Sequence, residues 1–371
     1  MGSEWTTIGD IALVFDGPHA TPEKVDEGPY YLSISSLENG KLDLSKSPRI
    51  SEEQFIQWTK RVAPKEGDVL FSYETRLGEA ALMPSGIRAC LGRRMGILRP
   101  DTNKVDPRYL LFAYIGPEFQ NEIRTRTNPG ATVDRLAVKE LPFFPIRLPP
   151  LPEQRTIAHI LGTLDDKIEL NRQMNATLEA MAQALFQSWF VDFDPVIDNA
   201  LAAGHPIPDA LQERAAARAA LGHRRQPLPA AIQSQFPSGF VRHEEMGWVP
   251  EGWAVSTIGH EIQAVGGGTP STKDASFWED GVHAFCTPKD MSLLDSLVLT
   301  AAERQLTDAG VAQISSGQLP AGVVLLSSRA PIGYLAISHI PVSVNQGIIA
   351  MLPNANYEPL YLVCWVRFNM D

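Results

Sequence analysis

The chain has 371 residues, 44% of them hydrophobic, with 32 basic and 43 acidic side chains and a formal net charge of −11. That length holds two ordinary domains plus a connector, no apolar run reaches the roughly 20 residues of a membrane helix, and Met1-Gly2-Ser3-Glu4-Trp5 lacks a signal-peptide layout. The acid excess excludes a protein that grips nucleic acid through bulk charge alone, and three scattered cysteines (Cys90, Cys286, Cys364) without metal-ligand spacing fit buried thiols in a reducing cytoplasm.

The first predicted domain, 1–148, mixes short strands with turns and one or two helices. Asp68-Val69-Leu70-Phe71-Ser72 and Met95-Gly96-Ile97-Leu98 read as buried strands. Pro107, followed by Tyr109, Leu110, Leu111 and Tyr114, reads as a helix start, and Asn128-Pro129-Gly130 as a turn. Charge is uneven: 88–147 carries 11 basic against 6 acidic residues, whereas 251–371 carries 5 against 11. A local positive surface in an acidic protein suits DNA binding within an assembly whose partners add cations.

After the proline-rich Leu148-Pro149-Pro150-Leu151-Pro152, the segment 149–193 is predicted to be a long helix. Beyond Pro152 its only glycine is Gly162, and it has no further proline. Ile157, Leu161, Leu164, Ile168, Asn171, Asn175, Leu178, Ala182, Leu185 and Trp189 follow one another in steps of four and three, a heptad seam. At 1.5 Å per residue the seam spans about 50 Å. Asn171 and Asn175 would fix register and partner at some cost in stability. A helix with so narrow an apolar stripe needs packing to persist, so a partner helix is expected, although for any single apolar residue plain intramolecular packing is the simpler expectation. Glu153, Gln154 and Arg155 are expected to cap the helix or meet a partner. The stretch 194–246 reads as a surface linker with one short helix at 209–221.

The second domain, 247–371, repeats the first. Trp5-Thr6-Thr7-Ile8-Gly9-Asp10 matches Trp253-Ala254-Val255-Ser256-Thr257-Ile258-Gly259, and Gly67-Asp68-Val69-Leu70-Phe71-Ser72 matches Gly322-Val323-Val324-Leu325-Leu326-Ser327. Leu77-Gly78 answers Ile332-Gly333, and Pro107-Arg108-Tyr109-Leu110-Leu111 answers Pro359-Leu360-Tyr361-Leu362-Val363, with the offset drifting only between 248 and 255. The copy stops about ten residues after Pro359, so a truncated second domain is expected. Two diverged copies imply two similar tasks on two different targets. Catalytic apparatus is missing from the pattern: there is no GxxxxGK[ST] phosphate loop, no dinucleotide fingerprint around Gly266-Gly267-Gly268, no Asn-Pro-Pro-aromatic run and no paired metal-ligand spacing.

Several motifs resemble the specificity subunits of Type I restriction–modification systems. They are Leu148-Pro149-Pro150-Leu151-Pro152-Glu153-Gln154-Arg155-Thr156-Ile157-Ala158, Leu185-Phe186-Gln187-Ser188-Trp189-Phe190-Val191-Asp192-Phe193 and Gly247-Trp248-Val249-Pro250-Glu251-Gly252-Trp253. Gly267-Gly268-Thr269-Pro270-Ser271, Ser327-Ser328-Arg329-Ala330-Pro331-Ile332-Gly333 and Asn345-Gln346-Gly347 are similar to recurring target-recognition motifs. The resemblance implies a mixed α/β (α+β) fold with two target-recognition domains separated by a coiled-coil-forming helix. It implies a non-catalytic, cytoplasmic subunit in which each domain reads one half of a bipartite asymmetric site in double-stranded DNA. The helix would dock two adenine methyltransferase subunits, with restriction and translocation subunits joining them. S-adenosylmethionine, ATP and Mg would reside on those partners. If the second domain is truncated, a homodimer through 157–189 is expected to supply the partner helix. The rival readings are a coiled-coil scaffold with two protein-binding repeats and a stand-alone DNA-modifying enzyme.

Arginine reads guanine through its fork, and asparagine or glutamine reads adenine. The candidates are Arg76, Arg93, Arg94, Arg124, Arg126, Thr127 and Asn128 in the first domain. In the second they are Thr269, Ser271, Thr272, Lys273, Ser328, Arg329, Asn345 and Gln346, with Asn345-Gln346 equally readable as a buried turn. Arg93 or Arg94 to alanine is expected to relax one base at ~1–3 kcal/mol. Tyr73 and Tyr334 are expected in the core.

Overall fold

The computed structural model describes residues 4–18, 20–127, 134–329, 331–352, 354 and 356–370. The chain divides into two compact units, Met1–Glu169 and Leu170–Asp371.

In the first unit the buried runs read from the sequence lie at the centre of a four-stranded sheet. Its order is Ala12–Asp16, Met95–Pro100, Val69–Ser72, Ala80–Leu82, with every neighbour antiparallel. Beside it Val25–Leu32 runs parallel to Ala89–Leu91, and Glu4–Thr7 pairs antiparallel with Pro145–Leu148, tying the domain's two ends together. The helix Pro107–Ile115 starts where expected. Pro107 needs no N–H at that position, and the Asp106 carboxylate accepts from the N–H groups of Arg108 and Tyr109, both at 3.0 Å. With the following helix Pro117–Thr125 it closes a core of Phe71, Leu110, Tyr114, Phe119, Ile123 and Phe144. The Tyr114 and Phe119 rings lie 4.9 Å apart, within the range of favourable aromatic pairs.

The second unit repeats this plan. Ala264–Gly266, Ile348–Met351, Val324–Ser327 and Leu335–Ser338 form the same antiparallel order, and Val298–Leu299 adds in parallel at the edge. His283–Cys286 runs parallel to Ser343–Val344, as Val25–Leu32 does to Ala89–Leu91. The helix Pro359–Met370 again begins with proline and buries Leu362, Val363 and Val366. The repeated glycines have a backbone reason: Gly67 and Gly322 (φ 82° and 88°) precede the equivalent strands, and Gly78 and Gly333 (φ 84° and 96°) close the loops after them. Those left-handed angles cost glycine nothing. Divergence reaches the interior too. Asp68 is buried and held by Arg99 through two bonds of 2.9 and 2.7 Å, whereas Val323 at the matching position is simply apolar.

The long helix runs Leu151–Phe186. Its first turns are latched to the first unit by Gln154, 1% exposed. The Gln154 Oε1 accepts from the Asp106 N–H at 2.9 Å, and Nε2 donates to the carbonyls of Lys104 and Pro149 at 3.1 and 2.8 Å. Of the two expectations for Glu153-Gln154-Arg155, Gln154 is neither a cap nor a partner contact but a buried bracket. Ala158 and Gly162 continue that packed face, and Arg108 bonds to the Gly162 carbonyl and to Asp166. In the second unit the same helix is held through Arg172–Asp295 at 2.5 Å and through Glu179, which accepts from the Leu297 N–H at 3.2 Å.

The heptad seam occupies a different face. Ile157 is half-buried against the first core, but Leu161, Leu164, Ile168, Leu178 and Leu185 are exposed, Leu164 at 56% and Leu178 at 54%. Asn171 and Asn175 are exposed beside them. This corrects the expectation of plain intramolecular packing for the stripe: the faces that bind the domains are made of small and polar residues, so the apolar seam is left bare. Trp189 departs from the seam as well. A π-turn at Gln187–Val191 and a left-handed Phe193 (φ 56°) end the helix, and Trp189 packs edge-on to Phe236 at 5.6 Å.

The segment expected as a linker with one short helix holds more structure than that. Helices Asp194–Ala203 and Gln212–Leu221 pack together, followed by the short helix Ala230–Gln233 and the hairpin of Phe240–His243 with Gly247–Pro250. Its hub is Asp194, 3% exposed, which accepts from Arg214 twice at 2.7 Å and from Ser188 at 2.7 Å. Asp198 joins Arg218 and Arg225 alongside. Polar composition hid this module because its apolar contribution is small, Val196, Ile197, Ala200 and Ala215, and the charged pairs lie beside it. Among the described residues no helix is long and apolar enough to cross a membrane.

Candidate nucleic-acid interface

At one end of each central sheet three loops meet. In the first unit they follow the strand Ala12–Asp16, follow Val69–Ser72 and precede Met95–Pro100. The Gly17 N–H donates to the Met95 carbonyl at 2.8 Å, and the Tyr73 N–H to the Arg94 carbonyl at 3.1 Å. A Cβ on Gly17 would stand 2.6 Å from the Gly92 carbonyl, so only glycine permits this approach. In the second unit the Gly268 N–H donates to the Val344 carbonyl at 3.1 Å and the Ser328 N–H to the Gly347 carbonyl at 2.8 Å. There Gly267 has no room for a Cβ against Val344.

Several sequence candidates come together on these loops. Arg93 is exposed at the tip of its turn, and only its backbone N–H is engaged, by the Tyr31 hydroxyl at 3.0 Å. Arg94, left-handed at φ 71°, turns back instead: its Nε lies 2.8 Å from a Glu74 carboxylate oxygen and its Nη1 3.2 Å from the Thr75 hydroxyl. Arg76 reaches Glu79 at 3.6 Å. In the second unit Thr269 donates to the Gln346 amide oxygen at 2.6 Å, linking two loops, while Ser328 donates to the Gly347 carbonyl at 3.2 Å. Ser271 uses its carbonyl to accept from the Trp278 indole at 3.0 Å, and Thr272 and Lys273 are exposed. Arg329 is exposed, with no partner among the described residues.

Asn345 is divided from Gln346 by its role. Its side chain accepts from the Gly347 N–H at 2.9 Å and shapes the turn, while Gln346 is exposed. Tyr73 is buried as expected, but Tyr334 is 37% exposed, because it follows Gly333 on a loop rather than facing the sheet.

The candidates around the helix Pro117–Thr125 serve that helix. Arg126 pairs with Glu122 at 3.0 Å and lies 4.8 Å over the Phe144 ring, and the Thr127 hydroxyl donates to the Ile123 carbonyl at 2.6 Å. Arg124 is exposed, and Asn128, with the Asn128-Pro129-Gly130 turn, lies outside the described residues. Sequence reading passed over Arg135 and Lys139. Arg135 and Glu74 form an isolated antiparallel backbone bridge, the Leu136 N–H donates to the Tyr73 carbonyl at 2.9 Å, and Arg135 and Lys139 line a cavity of about 470 Å³ with Asp16, Tyr73 and Glu140. Their only sequence signal was membership of the basic stretch 88–147.

Comparison with known proteins places this geometry. The family model described as Type I restriction modification DNA specificity domain matches residues 2–180 and 250–369. The chain is 30% identical over 341 residues to the Type I restriction enzyme HindI specificity subunit of Haemophilus influenzae, covering 84% of this chain and 72% of that one. It is 36% identical over 121 residues to the MjaIX specificity subunit of Methanocaldococcus jannaschii, covering 33% of this chain and 28% of that one. A solved Type I S subunit from M. genitalium aligns with 99% of this chain and 77% of its own, at 15% identity and a TM-score of 0.47. With a doubled sheet plan, a long helix and this match over both copies, the chain belongs to the family of Type I restriction–modification DNA specificity subunits.

Proposed function

We propose that each domain reads one half of a bipartite, asymmetric site in double-stranded DNA, and that the chain itself carries out no chemistry. The observation that supports this most is the repetition of one sheet order with different side chains on the equivalent loops: Arg93 and Arg94 in one copy, Gln346 and Gly347 in the other. A conserved frame with altered tips suits two readers of different sequences, since base-edge contacts specify while phosphate contacts only position. Adenine methyltransferase subunits bring S-adenosylmethionine, and restriction and translocation subunits bring ATP and Mg. The bare seam of the long helix favours a helical partner, from a methyltransferase or from a second copy of this chain, because an exposed apolar stripe of this length marks an interaction surface.

Single-molecule methylation sequencing of DNA from cells holding this chain and its cognate methyltransferase tests the reading. Methylated adenine within an asymmetric split motif is the expected result. A symmetric split motif would mean one domain used twice in a homodimer. No methylation, beside a methyltransferase shown to be active with another subunit, would refute the proposal.

A further inference from the structure

We propose that the two domains present their base-reading cation from different loops, Arg93 in the first and Arg329 in the second, and that Glu74 withholds Arg94 from DNA. The inference rests on the DNA-reading function above and names the residues that would set its specificity.

Backbone pairing sets the correspondence. Ser72 N–H donates to the Glu79 carbonyl and Ser327 N–H to the Tyr334 carbonyl, at 3.0 and 2.9 Å. Tyr73 N–H meets the Arg94 carbonyl as Ser328 N–H meets the Gly347 carbonyl. These paired bonds equate Glu74 with Arg329, Arg94 with Gly347, and Arg93 with Gln346. Across the two loops the first domain therefore places an acid opposite an arginine, and they pair at 2.8 Å. The second domain places an arginine opposite a glycine, so Arg329 has no side chain to pair with there.

One step along, the pattern inverts. Arg93 is exposed, and its guanidinium meets no partner among the described residues. Gln346 at the same register has its amide oxygen occupied by Thr269 at 2.6 Å. An adenine-reading amide uses both its oxygen and its nitrogen, and the Thr269 hydroxyl already takes one of the two lone pairs of that oxygen, so Gln346 is tethered to its neighbouring loop whereas the Arg93 guanidinium is not. A free guanidinium retains the planar fork that matches guanine O6 and N7. Divergence of the two copies has thus moved the available fork from one loop to its neighbour.

The test uses the full chain with its cognate methyltransferase and reads the methylated motif by single-molecule sequencing. Arg93→Ala is expected to relax one G·C pair in one half-site, and Arg329→Ala one G·C pair in the other, each with roughly 5- to 150-fold less discrimination. Arg94→Ala is expected to leave the motif unchanged. If an alanine variant abolishes methylation, the lysine variant decides: a motif relaxed at one pair supports fork readout, and an unchanged motif with full methylation shows a simple charge contact and overturns it. A motif relaxed by Arg94→Ala, or left intact by Arg93→Ala, also overturns the inference while leaving the DNA-reading function standing. Absence of any split motif with the unaltered chain removes both.

Discussion

Gln154 shows how one side chain can join a helix to a domain. Its amide satisfies one N–H and two carbonyls that the domain's own elements leave unpaired. Gln154→Ala is expected to lower the stability of the first unit by about 1–3 kcal/mol, since buried partners are left unsatisfied. A urea midpoint that does not move would contradict this. The cysteines make a second case. Burial pushes the thiols of Cys90 and Cys286 up to about 12, and burial also raises Cys364. Their folded values lie above the unfolded value of about 8.5, so the linked stability is intact below that pH and declines as pH rises through the window above it. Thiol titration of the native chain at pH 8 is expected to be slow, becoming fast only on unfolding.

At the scale of elements, the long helix separates two kinds of contact. Gln154, Ala158 and Gly162 bind one face to the first domain, leaving Leu164 and Leu178 on an apolar face in water. Replacing both leucines with glutamate is expected to abolish assembly through this helix, read by sedimentation velocity with the methyltransferase, while the domains' own unfolding is unchanged. The module after the helix combines buried Val196, Ile197 and Ala200 with an ion pair to the buried Asp194. Burial alone would raise the Asp194 carboxyl, but hydrogen bonds from Arg214 and Ser188 and the charge of Arg218 outweigh it and hold the pKa below the ordinary aspartate value. The sign follows: this stability is present above about pH 3.9 and is lost as pH falls through the lower folded value. Acid titration followed by the fluorescence of Trp189, beside Phe236, is expected to show that transition, and Asp194→Asn to remove it.

The whole molecule carries a net charge of −11 while offering exposed cations on its loops. The isolated chain is therefore expected to bind DNA only at the non-specific level, with Kd on the order of 10⁻⁴–10⁻⁶ M at physiological salt. Fluorescence anisotropy showing tight sequence-selective binding without partners would contradict that.

Local patterns in the sequence were enough for the repeat, the buried strands, the Pro107 and Pro359 helix starts and the long helix, because each depends on neighbours in the chain: glycine where φ is positive, proline at a first turn, apolar residues at a helical period. The family, too, was legible from motifs such as Leu148-Pro149-Pro150-Leu151-Pro152-Glu153-Gln154. Only the tertiary structure decided which candidates are free to act. Arg93 and Arg94 are adjacent and chemically identical, yet a carboxylate twenty residues earlier captures one and not the other. The seam of the helix looked like a core, but most contacts to the domains lie on a different face. Pairing across loops and the choice of a helix face depend on residues distant in the chain, and no local pattern encodes them.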